Sequence, residues 1–390
     1  MNIDNSAFIP YGRQTIDNDD INAVISVLKS DYLTTGPTVR RFEESVAKYV
    51  DAKYAVAFSN GTAALHGACY AAGIQNGDEV ITSPMTFVAS SNCILYMEAT
   101  PVFADIDKGT CNIDPREIRK KITEKTKAII PVDYAGQPCD LNQIKEIALE
   151  HNLVVIEDAA HALGARYKGE KVGSISDMTM FSFHPVKHIT TGEGGIITTN
   201  NKEYYEKLID FRSHGITRNK TKFTDNHGPW YYEMQFLGYN YRMTDIQAAL
   251  GVSQLNKSDE FLRKRQSIVH KYNQAFTDIS EINIPIQKEY NDSSWHLYVI
   301  SLNLDQLSGS RRTIFEELRK KNIGVNVHYI PVYYQPFYRE LGFRKGICPN
   351  SEHFYETIIT LPLFPSMTDE EISHVIKVVI NIITKYSKRN

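Results

Sequence analysis

"YAVAFSNGTAALHGACYAAG", Tyr54 to Gly73, decides the fold. Its first six residues, Tyr54 to Ser59, form a short apolar run that reads as a strand. Asn-Gly-Thr then opens an alanine-rich segment that reads as a helix ending at Gly73. The same succession continues down the chain. "DEVITSP" precedes a helix starting near Thr86, "TPVFADID" a helix from Asp114, and "KAIIPVDYAG" the helix of Leu141, Ile144, Ile147 and Ala148. "LVVIEDAA" precedes His161, and "MTMFSF" and "GIITTN" are the last two strands. Near-continuous apolar strands alternating with helices argue for a mostly parallel sheet covered on both faces, in a large α/β domain over residues 52 to 245.

Outward from that domain the patterns change. Asp17 to Leu28 has helical spacing with acids in its first turn. "YLTTGP" is a loop, and Thr38 is placed to cap a helix carrying Val39, Phe42, Val46 and Tyr49. After the large domain, Thr244 to Phe276 reads as one long helical stretch. A smaller α+β domain follows, with strands "HLYVISL" and "IGVNVHY", a helix between them, and a final helix over about Asp369 to Tyr386. The chain thus divides into residues 1–245, an N-terminal segment plus the large domain, and residues 246–390, a linking helix plus the small domain.

Composition narrows the function. In 390 residues, 43 Lys and Arg face 46 Asp and Glu, so no basic surface argues for nucleic acid or anionic membrane. The longest aliphatic stretch, Val378 to Ile383, is far below the ~20 residues a bilayer requires. Five scattered cysteines without C-x-x-C suggest reduced thiols rather than a disulfide framework or a zinc site. The N-terminus, "MNIDNSAFIP", lacks an apolar export core. These features together point to a cytoplasmic protein.

Three motifs carry chemistry. "SNGTAAL" sets Gly61 and Thr62 at a helix N-terminus, which either is an ordinary capped turn or holds a phosphate. It matches neither G-x-G-x-x-G nor a P-loop. Asp158 ends a central strand, where open α/β sheets bind ligands; alternatively it caps a helix of Ala159 to Leu163. Its neighbour Glu157 points to the opposite side, and His161 is either a core histidine or part of a site. In "MFSFHPVKHITTGEGG", Met180 to Gly195, one lysine, Lys187, follows a buried strand and Pro185. Such a lysine either snorkels to solvent or, desolvated, becomes a nucleophilic amine. The combination decides. Lys187 can bond a cofactor aldehyde, Asp158 can hold a proton on a pyridine nitrogen, and the Thr62 turn with Ser182 can hold a phosphate. Those are the parts pyridoxal phosphate requires.

The chain also resembles a known family over nearly its whole length, the DegT/DnrJ/EryC1/StrS aminotransferases. The resemblance rests on "IPYGRQTI", "YLTTGPTVRRFEE", "SNGTAAL", "PMTFVAS", "EDAAHALGA", "FSFHPVKHITTGEGG", "RSHGI", "GYNYRMTDIQAALG" and "VHYIPVYYQ". It implies the aspartate-aminotransferase-like fold (type I) and pyridoxal phosphate as cofactor. Lys187 matches the residue covalently linked to the cofactor and Asp158 the carboxylate on its ring nitrogen. His161 matches a donor to its ring oxygen and Phe87 the aromatic stacked on the ring. Gly61, Thr62 and Ser182 match phosphate and substrate contacts. Asn240 matches a residue that reaches the neighbouring subunit's site, implying a homodimer with shared active sites. Further substrate contacts would come from Tyr11, from Asp31, Tyr32, Leu33 and Thr34, and from His328 and Tyr329; each of Tyr11, His328 and Tyr329 could equally be packing. "VDYAGQPCDL" and the Lys187 motif are most similar to the pseudaminic-acid branch of the family, although His188 stands where that branch has proline. The implied reaction moves the amino group of L-glutamate to C4 of a UDP-linked 4-keto-6-deoxy-N-acetyl sugar. Another keto nucleotide sugar, of bacillosamine or perosamine type, and a non-catalytic relative on the same scaffold remain as alternatives.

Overall fold

In the computed structural model, which describes residues 7–225 and 227–389, the alternating pattern forms a seven-stranded sheet. Its strands are β1 (Tyr54–Phe58), β2 (Glu79–Thr82), β3 (Thr100–Phe103), β4 (Thr126–Ile130), β5 (Val154–Asp158), β6 (Met178–Ser182) and β7 (Gly195–Thr199). The spatial order is β1-β7-β6-β5-β4-β2-β3, and only β7 runs antiparallel to its neighbours.

Strand alternation feeds two apolar layers. Val56, Phe58, Met180 and Ile197 face one side, with helices α3 (Gly61–Ala71) and α7 (Lys202–Phe211). Ala55, Ala57, Phe181 and Ile196 face the other, with α2 (Pro37–Tyr49) and α8 (Asp245–Leu255). Helix α1 (Asn18–Leu28) packs on α8. Residues on both faces are almost wholly removed from water, as expected for a sheet covered on two sides.

A second core surrounds a three-stranded antiparallel sheet of β8 (Ile282–Asn283), β9 (Tyr298–Leu302) and β10 (Ile358–Leu361). Helix α9 (Ser258–Phe276), α10 (Arg311–Lys320) and the last helix, Asp369–Tyr386, cover it. The last helix begins with a capping box from Thr368 and Glu371.

Several local expectations change. The stretch from Thr244 to Phe276 is two helices, because Asn256 and Lys257 separate α8 from α9. "IGVNVHY" buries Ile323 and Val325 as a strand would, yet forms only isolated bridges, Ile323 to Ile9 and Asn326 to Thr360. Its hydrogen bonds go to two different partners, so no ladder grows; the third strand is Ile358–Leu361 instead. Thr38 does not cap α2. The Asp245 carboxylate, more than two hundred residues on, accepts from the Gly36 and Thr38 amides at 2.7 and 2.8 Å. The helix expected near Thr86 begins at Ala89, leaving residues 83–88 as a loop at the sheet edge. The five cysteines are buried and free, and no helix among the described residues is long and apolar enough to cross a membrane.

Candidate active site

The carboxyl ends of β4, β5 and β6 open into a cavity of about 860 Å³. It brings together Tyr11, Gly61, Thr62, Phe87, Asp158, His161, Ser182, Lys187, His328 and Tyr329. Residues from four separated parts of the sequence therefore meet where a ligand of an open α/β sheet is expected.

Lys187 is held by a closed loop after β6. The Phe183 amide donates to the Gly194 carbonyl, the Thr191 amide to the Phe183 carbonyl, and the Lys187 amide to the His184 carbonyl. Gly192 turns the loop at φ +78°. Gly195 answers a different need: a Cβ there would lie 2.5 Å from the Asn60 carbonyl oxygen, so only glycine lets β7 pass behind the start of α3. Lys187 keeps some exposure to the cavity, but its amine is enclosed, and burial draws its pKa down to about 8 against the opposing pull of Asp158.

Asp158 is nearly fully buried. Its Oδ2 accepts from the Ser90 hydroxyl at 2.6 Å and its Oδ1 from the Ala160 amide at 3.1 Å. It therefore caps a turn at 159–164; no helix forms there. Burial raises its pKa, while Ser90, Ala160 and Lys187 oppose the rise. Glu157 points to the other side of the sheet, where it accepts from Thr179.

His161 is buried and neutral, its pKa pushed well down by burial and by the nearby charge of Lys187. Its Nε2 is hydrogen-bonded to the Tyr329 hydroxyl at 3.1 Å, while its Nδ1 is buried without a partner among the described residues. His328 lies against Tyr11 and bonds Thr360 through Nδ1 at 2.9 Å; burial lowers its pKa to about 3. His188 sits behind the loop and donates to the Ser294 carbonyl at 3.0 Å.

Five expected contacts lie elsewhere. Asp31, Tyr32, Leu33 and Thr34 are exposed beside α8, where Leu33 accepts from the Asp245 amide and Thr34 bridges Thr244. Asn240 is exposed and its backbone pairs with Ser213. None of the five lines the cavity of its own chain: Asp31 to Thr34 lie on the outer surface against the start of α8, and exposed Asn240 is placed by its pairing with Ser213. Conversely, Thr86, Ser90, Tyr96, Glu193, Tyr241 and Asn326 line it without having been singled out. Ser90 lies in the quoted "PMTFVAS"; only its bond to Asp158, sixty-eight residues away, reveals its importance.

The donor set suits a pyridoxal phosphate molecule. Asp158 is a buried carboxylate that makes no salt bridge among the described residues, a fit for a protonated ring nitrogen. The Gly61 and Thr62 amides stand in the first turn of α3, where amides lack intrahelical acceptors, and the Asn60 side chain takes the Ala63 amide at 2.8 Å. A Cβ on Gly61 would approach the Ser182 side chain to 3.3 Å, so glycine keeps that hydroxyl close to the turn. Phe87 is 60 % exposed, a large aromatic ring left uncovered at the cavity wall.

Comparison with known proteins gives the same answer. The model of the DegT/DnrJ/EryC1/StrS aminotransferase family matches residues 14–380. The chain is 47% identical to an uncharacterized protein of Methanocaldococcus jannaschii, over 97% of this chain and 98% of the relative. It is 41% identical to the spore coat polysaccharide biosynthesis protein SpsC of Bacillus subtilis (96% and 97%). It is 38% identical to the UDP-4-amino-4,6-dideoxy-N-acetyl-beta-L-altrosamine transaminase of Campylobacter jejuni (97% and 99%). Among solved structures, Helicobacter pylori PseC, an aminotransferase of pseudaminic acid biosynthesis, is similar with TM-score 0.90 and 34% identity, covering 97% of this chain and all of that one. A Streptococcus pneumoniae relative solved in its pyridoxal and pyridoxamine phosphate forms also gives 0.90 and 34%, covering 97% and 99%. The chain belongs to the DegT/DnrJ/EryC1/StrS aminotransferase family and is a pyridoxal-phosphate-dependent aminotransferase.

Proposed function

We propose that this enzyme moves the amino group of L-glutamate to C4 of a UDP-linked 4-keto-6-deoxy-N-acetyl sugar, UDP-2-acetamido-2,6-dideoxy-beta-L-arabino-hex-4-ulose, in pseudaminic acid biosynthesis. The observation that carries the reading is one cavity holding a lysine of lowered pKa and a buried carboxylate without a resident cation. The choice of sugar is supported by the names of the Campylobacter and Helicobacter relatives.

When bound, pyridoxal phosphate supplies an electron-accepting ring and the aldehyde carbon that carries the amino group between donor and acceptor. The protein's residues do the rest. Lys187 Nζ would anchor the cofactor and, as a free amine, would take up the proton from the donor's α-carbon; burial draws its pKa to about 8, which leaves part of this amine neutral at physiological pH. Asp158 holds a proton on the ring nitrogen, and Ser90 and the Ala160 amide keep its carboxylate aimed at the cavity. Tyr329 orients His161, a donor to the ring oxygen. Gly61, Thr62 and Ser182 hold the phosphate, Phe87 stacks on the ring, and Tyr11, His328 and Tyr329 border the sugar.

Asp31, Tyr32, Leu33, Thr34 and Asn240 fit this scheme through a homodimer, in which they complete the site of a second copy. Tyr32 and Leu33, together with Trp230 and Leu237, are large apolar side chains left exposed in the single chain.

A second reading is amination of another keto nucleotide sugar, of bacillosamine or perosamine type. It is favoured by the higher identity to the spore coat polysaccharide protein. Incubating the enzyme with glutamate and each keto sugar, then identifying products by NMR, separates the two. The first reading expects a 4-amino product from the L-arabino-configured keto sugar at the highest kcat/KM. Preference for another keto sugar overturns it.

A further inference from the structure

Directly behind Asp158 lies a pair of acids that the reaction does not use. Asp133 and Glu157 are both wholly buried. Asp133 Oδ1 accepts from the Cys139 amide at 2.9 Å and Glu157 Oε2 from the Thr179 hydroxyl at 3.0 Å. Their other oxygens, Asp133 Oδ2 and Glu157 Oε1, have no hydrogen-bond partner among the described residues. They flank the parallel bridge between Val132 and Asp158, Asp133 one position after it and Glu157 one position before it; each carboxyl group influences the other, and neither forms a salt bridge among the described residues. The elements packed around them bring little charge. From the turn after β4 comes Cys139, whose thiol donates to the Val132 carbonyl, and from β6 and its approach come Thr179 and the buried Ser176 hydroxyl. From α6 (Leu141–His151) comes Lys145, whose amine donates to the Ile175 carbonyl.

Two neighbouring carboxylates in such a place cannot both be ionised. A single proton, in contrast, gives one orphan oxygen a donor and the other an acceptor at once. We propose that Asp133 and Glu157 share one proton and thereby act as positioning residues for Asp158. The link to Asp158 is short. The Asp133 amide donates to the Asp158 carbonyl at 3.1 Å, and the Asp158 amide donates to the Pro131 carbonyl at 2.9 Å. The same turn reaches the opposite wall through Tyr134, which donates to the His328 carbonyl; behind that wall Ala135 accepts from the His296 amide and Gly136 from the Ser294 amide. The shared proton locks a turn on which both sides of the cavity rest.

Burial, and for Asp133 also the charge of Glu157, push these carboxyl groups above their ordinary range. The sign follows. Stability from the protonated pair is complete below the ordinary carboxyl range near ~4 and is lost as pH rises toward the folded-state pKa.

The test is infrared difference spectroscopy of the holoenzyme against Glu157→Gln at neutral pH, with carboxyl-labelled aspartate and glutamate. A protonated-carboxyl band that shifts with the label and is missing in the variant is expected; its absence from the wild type overturns the proposal. Asp133→Asn replaces Glu157→Gln if that variant does not fold, and the label shift in the wild type decides without any variant. In thermal or denaturant unfolding, the wild type is expected to lose about tenfold in folding equilibrium per pH unit relative to Glu157→Gln, until the pair ionises. Pyridoxal phosphate binding to the apoprotein gives the positioning readout. Its pH profile is expected to differ between the wild type and Glu157→Gln; superimposable wild-type and variant binding profiles overturn the link to Asp158.

Discussion

The two walls of the cavity are built by different means. On the large-sheet wall, Asp158 ends a strand hydrogen-bonded on both sides, and Lys187 stands on a loop closed by three backbone hydrogen bonds. On the other wall, His328 and Tyr329 belong to a segment with only isolated bridges, tied by Tyr134, Thr360 and His161. The groups proposed to do chemistry are thus fixed by main-chain hydrogen bonds, whereas those proposed to border the sugar are held mainly by a few side-chain contacts. Such an arrangement lets substrate preference change without disturbing the reaction.

Substitutions on the first wall are expected to strike kcat, and those on the second mainly KM. Lys187→Ala should have the largest effect, a loss of about 10⁴ in kcat with the fold unchanged by circular dichroism. Substantial turnover in that variant would break the comparison. Asp158→Asn should cost roughly 10² to 10³ in kcat, measured at saturating substrate. The pH effect comes next. Burial lowers the Lys187 pKa to about 8, so the neutral amine gains with pH up to that value. Capture of pyridoxal phosphate by the apoprotein, followed by stopped-flow absorbance, should rise about tenfold per pH unit below it and level off above. Ser90→Ala removes the 2.6 Å donor to Asp158 and should lower kcat about tenfold. On the second wall, Tyr134→Phe removes the bond to the His328 carbonyl. It should cost about 1 kcal/mol of stability, with a KM change of a few fold and kcat nearly intact. A kcat loss as large as that of Ser90→Ala would show the walls to be more alike than their construction suggests.

The contrast also explains what the sequence made legible. The large sheet announces itself because each strand is an apolar run buried on both faces, and the glycines around Lys187 mark backbone that must turn or pass closely. The second sheet does not. "IGVNVHY" alternates as a strand, but pairing depends on neighbours far along the chain, and Ile9 and Thr360 each supply only one position. The Asp245 cap on α2 and the Ser90 bond to Asp158 are equally invisible, being contacts between segments with no local signature. Asp31 to Thr34 and Asn240 show the reverse. Their motifs are plain in the sequence, yet in one chain they face outward.

The central claim is that Lys187, and no other residue, carries the cofactor. Holoenzyme saturated with pyridoxal phosphate can be reduced with borohydride, digested, and mapped by mass spectrometry. One phosphopyridoxyl group per chain is expected, on the peptide containing Lys187. A modification on a different lysine, or none, would contradict it.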